Sequence, residues 1–174
     1  MTGTLPLTMD DLRHLARWAE QCAARALPVF EVHSRDDLRP REALVAALAF
    51  ADGAERSGTL RKAAWAAEAA ARDAANPAAT AAARAAAAAA GAAYLHPIAT
   101  AHQLNHILAP AGYAAHALAL CSEDPARVGD MEIDSAIAGA PSAVRRLIAQ
   151  LPPRASSRAA LGRLFHRLDT GLRR

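Results

Sequence analysis

"NPAATAAARAAAAAAG", Asn76–Gly91, is the stretch on which the fold turns. By composition it is low in complexity. By backbone propensity it is a strong helix: alanine is the best helix former, Asn76 is a preferred cap, and Pro77 suits a first turn, where its missing N–H costs nothing. Such a helix has little side-chain bulk and contributes little apolar area. Its thin surface lets neighbouring helices approach closely, and bulky residues elsewhere must then fill the core. Low complexity here therefore predicts close packing, with contact or a bend near Gly91.

Toward the N-terminus the same logic yields more helices. Thr8 caps the amides of Asp10 or Asp11, and Leu7 and Leu12 form a hydrophobic staple around the entry turn. Leu12, Leu15, Ala19, Cys22, Ala23, Ala26 and Phe30 recur at helical spacing, although Pro28 disturbs the last turn. "SRDDLRP" leads into a run with Pro40 in its first turn and Leu44, Ala47, Leu48 and Ala51 on related faces. After "DGAERSG", Thr59 is the expected cap of a helix bearing Leu60, Ala63, Ala64, Ala67 and Ala71. Trp65 lies off that stripe and is expected to bridge neighbouring helices.

Toward the C-terminus, "HP" at His96 and Pro97 marks a boundary, and helices are expected at about 97–109, 110–121, 141–151 and 156–171. Pro110 leaves the first two either separate or joined as one kinked helix. Pro141 starts the third, with Val144, Leu147, Ile148 and Leu151 inward. Ser156 is the expected cap of the last, which carries Leu161, Leu164, Phe165 and Leu168. No period-2 alternation of useful length competes. The fold predicted is all-α, an irregular antiparallel bundle of six to eight helices; a short solenoid of helical pairs is the alternative, weakened because the bulky residues follow no fixed period.

The 174 residues suit a single all-helical domain spanning 1–174, with a short N-terminal arm (1–7) and a basic C-terminal helix (156–171). The net charge of +3 is unevenly spread. Residues 1–140 hold 12 basic and 16 acidic side chains, whereas residues 141–174 hold eight arginines and one acid, Asp169. The basic tail is expected to lie against the acidic faces of the body, in preference to binding nucleic acid through Arg145, Arg146, Arg154, Arg158, Arg163, Arg167, Arg173 and Arg174. Cys22 and Cys121 have no metal-site or disulfide-framework spacing and read as reduced, buried thiols. Residues 1–8 lack the pattern of a secretion signal, no segment reads as a membrane span, and the expected compartment is the cytoplasm.

"ATAHQLNHILAPAGYAAHAL", Ala99–Leu118, is the segment that bears on chemistry. His102 and His106, four residues apart, share a helix face, and His116 and His96 are the further metal candidates. "HQLNH" lacks the glutamate of the metalloprotease pattern, and no nucleophile, phosphate loop or dinucleotide motif accompanies it. The favoured expectation is a polar seam of hydrogen-bonded interhelical histidines that Thr100 also joins. Gln103 and Asn105 flank that face and are candidates for binding a partner in a groove. Trp18, Trp65, Tyr94 and Tyr113 are candidate aromatic contacts.

These residues resemble a bacterial family of immunity proteins, itself similar to an immunity domain of polymorphic toxin systems. The resemblance runs through most of residues 9–125. It is carried by the opening around Trp18 and Cys22, by "RPRE" at Arg39–Glu42, by the helix with Arg72 and Asp73, and by "ATAHQLNH" continuing to "GYAAHAL". Its strongest local match is Thr100, His102, His106, Tyr113 and Ala114. It implies an all-helical cytoplasmic protein that binds and neutralises a cognate toxin. The function expected is thus a non-enzymatic protein-binding domain without a cofactor. The alternatives are a metal- or ligand-binding protein using the histidines, and nucleic-acid association through the basic tail; homo-oligomerisation is left open.

Overall fold

The computed structural model describes residues 3–174 and is built of helices throughout. The elements are α1 (Met9–Ala24), α2 (Leu27–His33), α3 (Arg39–Ala51), α4 (Gly58–Asp73), α5 (Pro77–Gly91), α6 (Ala101–Leu120), α7 (Pro125–Gly139), α8 (Ser142–Ala149) and α9 (Ala160–Leu172). A 3-10 turn, Ala92–Tyr94, follows α5. Among the described residues no strand forms. An isolated antiparallel bridge joins Thr4 to Ile98, and the flanking Leu5 N–H donates to the Pro97 carbonyl at 3.0 Å, tying the arm to the linker before α6.

The alanine helix α5 is at the centre. Asn76 caps it by accepting from the amides of Ala78 and Ala79 at 2.9 and 3.1 Å, and ten of its alanines are buried. It packs most extensively on α4 and α6 and also meets α1, α2 and α3. So many helices reach one axis because its side chains are methyl groups. Bulk comes from outside it: Leu15, Trp18, Phe30, Phe50, Leu104, Ile107 and Leu108 are almost wholly buried.

The bundle is irregular and all-α as expected, but its nine α-helices among the described residues exceed the six to eight predicted. Pro28 divides the first apolar stripe into α1 and α2, while the core face continues through Ala26, Leu27 and Phe30. The segments expected at 97–109 and 110–121 are one helix, α6, which starts only at Ala101 and holds Pro110 in its interior. Thr100 caps it, with the Gln103 amide donating to Oγ1 at 3.3 Å. Pro110 has no N–H for the His106 carbonyl, a loss that burial on both sides of the proline offsets. Ser57, not Thr59, caps α4. Ser156 caps nothing; the chain stays non-helical until α9 begins at Ala160.

Helix α7 has no counterpart in the sequence reading. It buries only Gly129, Ile133 and Ala136, too thin a stripe for a helical period to stand out. Tertiary ion pairs add to its support: Arg25 meets Glu132 at 2.6 Å, Arg163 meets Asp130 at 3.1 Å, and Arg167 meets Asp134 at 2.8 Å. With Arg146 on Asp11 and Arg173 on Asp169, these contacts set much of the basic tail against the protein's own acids. On its apolar side α9 buries Leu164, Phe165, Leu168 and Leu172. Gly112 of α6 makes room for Phe165, since a Cβ there would collide with the ring.

Candidate partner-binding cleft

Because α5 has no bulk, α4 and α6 stand above it as walls. Between them lies an open cleft of about 1130 Å³. Its floor is Ala87, Ala88 and Gly91 of α5, continued by Ala64 of α4 and Ala109 of α6. Its far side is Arg154 in the non-helical approach to α9 together with Leu161 and Phe165 in the first turns of α9. Asp169, buried at 2% exposure, fixes that approach by accepting the Arg154 amide at 2.8 Å and the Arg173 guanidinium at 2.8 Å. His166 Nδ1 donates to the Arg154 carbonyl at 3.0 Å.

The walls are cationic and aromatic. Arg61 lies over the Tyr94 ring, 4.4 Å from its centroid, while the Tyr94 hydroxyl donates to the Ser57 carbonyl. Arg84 reaches toward the Tyr113 ring at 5.9 Å and lies 3.8 Å from Glu68. Arg154 covers Phe165 at 4.9 Å and donates to Asn105 Oδ1, and its buried Nε has no hydrogen-bond partner. Glu68 is the one acid lining a cleft that contains three arginines. Trp65 stands on the rim with 66% of its surface exposed, so it does not bridge helices as expected.

The histidines are also placed differently. His102 and His106 are exposed along the α6 wall rather than set in an interhelical seam, and they bond to each other. Their Nε2 atoms are 2.9 Å apart and their rings meet edge-on at 4.4 Å, so one ring donates and the other accepts. Partial shielding from water, then the neighbouring His102 and His96, hold the His106 pKa below its ordinary value. His96 lines the same cleft; His116 lies away from it, half-buried, with its pKa lowered by burial. Among the described residues no group of three or more His, Cys, Asp or Glu side chains is arranged to hold a metal.

Of the aromatic and amide candidates, Trp65, Tyr94, Tyr113 and Asn105 come together in the cleft. Trp18 does not: it is a core residue at 2% exposure, with Nε1–H donating to the Ala136 carbonyl at 3.0 Å. Gln103 is buried too and accepts the His96 amide at 2.9 Å, which holds the linker before α6. Cys22 is a buried thiol with its pKa pushed up to about 12 by burial, whereas Cys121 is exposed, contrary to expectation. The sequence reading missed Arg61 and Arg84 as site residues. The nearest signal was positional, since each lies on a small-residue helix face with few other large side chains.

A family model described as "Imm-5 like putative immunity protein" matches residues 5–142. The chain belongs to the Imm-5-like family. No curated protein and no solved structure matches it. In this Imm-5-like protein the matched span contains the floor of the cleft and the α4 and α6 walls. Arg154, Leu161 and Phe165 lie beyond that span, so the fourth side is built by residues outside the family match.

Proposed function

We infer that this Imm-5-like chain is a non-enzymatic, immunity-like protein-binding domain whose partner is a cognate toxin, and that it acts as one domain in the bacterial cytoplasm. The observation that carries this reading is the family match over residues 5–142. The cleft supports it. At about 1130 Å³ it is larger than the 300–1,000 Å³ of ordinary small-molecule pockets, and it combines exposed aromatic surface with arginines, residue types enriched where proteins meet. Among the described residues no helix is long and apolar enough to cross a membrane.

Toxins of the source bacterium, each produced in a sensitive host with and without this chain, provide the test. One toxin is expected to lose its growth inhibition and to elute with the chain as a stable complex. Unrelieved growth arrest by every toxin, together with separate elution, overturns the reading.

A further inference from the structure

We propose that the cleft over α5 is the toxin-docking site and that it receives an acidic segment of the partner, with carboxylates meeting Arg61, Arg84 and Arg154 and an apolar side chain lying on the alanine floor. The identity of the partner rests on the immunity reading; the chemistry of the occupant rests on the cleft.

Charge complementarity selects that occupant. Three guanidinium groups face one carboxylate, Glu68, and at 3.8 Å its pairing with Arg84 is loose. Outside the cleft, Arg25 and Arg41 show what a close match is, on Glu132 and Glu31 at 2.6 and 2.7 Å. In the cleft, Arg61 and Arg154 lie instead over aromatic rings, which orient a guanidinium while leaving donors for a carboxylate. The floor cannot bond a polar group through its methyls, so an apolar side chain suits it, and Trp65 on the rim provides a large face to cover it. Carboxylates together with an apolar anchor describe a polypeptide segment better than a nucleic acid, whose phosphates would leave that floor unused.

The test uses the full chain with the toxin identified by neutralisation and, separately, with a synthetic peptide of glutamates around one leucine. Variants are Arg61→Glu/Arg84→Glu, Ala88→Phe to fill the floor, and Lys62→Glu/Arg72→Glu as a control with an equal charge change at exposed positions outside the cleft. Thermal unfolding verifies each fold, and Arg61→Glu alone, at an exposed side chain, replaces the double variant if that one is unfolded. Toxin affinity is expected to fall at least about 100-fold in the first two variants and to stay within about threefold in the control, as for charges at the centre and outside of an interface. Trp18 is shielded and Trp65 exposed, so acrylamide quenching reads the rim. The peptide should protect Trp65 in the native chain and not in the double variant.

Undiminished toxin binding by both cleft variants overturns the docking site and leaves the immunity reading standing. If no toxin is neutralised, that reading falls and the peptide decides the occupant's chemistry: protection lost on charge reversal supports an acidic segment, and no protection overturns it. Stronger protection by a single-stranded oligonucleotide of equal charge also overturns it.

Discussion

Helices α5 and α9 both bury an apolar face, and they do so with opposite materials. The α5 face is alanine, surrounded by α1, α2, α3, α4 and α6. The α9 face is Leu164, Phe165, Leu168 and Leu172 against α6 and α7, with arginines outside. One helix provides space and the other provides volume. The cleft exists where the first kind of helix is exposed between two neighbours, and it is closed on its far side by residues leading into the second. Low bulk thus has two structural consequences: it brings helices close in the interior and leaves a trough at the surface.

This contrast predicts that α9 is sensitive to deletion and α5 to addition. The largest effect is expected for Phe165→Ala, which should cost about 3–5 kcal/mol in denaturant unfolding through lost contacts and a cavity. A negligible cost would mean that α9 is not packed as described. Ala83→Leu, at a position with no exposed surface, should cost about 1–3 kcal/mol through overpacking; stabilisation would show that α5 has unused space. Asn76→Ala should cost about 1 kcal/mol by leaving the Ala78 and Ala79 amides without their side-chain acceptor. Arg174→Ala, at an exposed terminus, should change stability by less than about 0.5 kcal/mol, and a larger loss would give the tail arginines a packing role.

The subtlest expectation concerns the slope of stability with pH. His106 and His116 have folded-state pKa values below the ordinary 6.5, so the unfolded chain binds protons first as pH falls. Stability from these groups is therefore full above about pH 6.5 and declines as pH drops from there through their folded pKa values. Unfolding curves collected between neutrality and mild acid should show this decline, and His106→Gln with His116→Gln should flatten it. An unchanged slope in the double variant would assign it to other groups.

How legible these features were in the sequence depended on whether their cause was local. The caps at Thr8 and Asn76, the α9 stripe and the alanine helix follow from nearest neighbours along the chain, whereas Thr100, expected in a polar seam, instead caps α6. At Ser57 and Thr59 two good capping residues stand two positions apart, and local preference had no basis for choosing the first. Helix α7 was missed because it buries only Gly129, Ile133 and Ala136, and the helices it packs on, α6 and α9, are brought to it by the tertiary fold. In the site, Tyr94, Tyr113, Asn105 and the histidine pair were legible as candidates, but their exposure was not. Trp18 and Trp65 are both indoles beside alanines, yet one is in the core and the other on the rim.

The sequence by itself determined an all-helical chain, the thin helix at its heart, and the i,i+4 relation that makes His102 and His106 neighbours, because propensity, capping and helical periodicity act over a few residues. Tertiary structure alone decided that α5 would be roofed on one side and open on another, that α6 would run unbroken through Pro110, and that Arg61, Arg84 and Arg154 would converge on one cleft. The physical reason is that a helix fixes the directions of its own side chains, but burial depends on which other helices come to cover them. That choice is settled by the packing of the whole bundle.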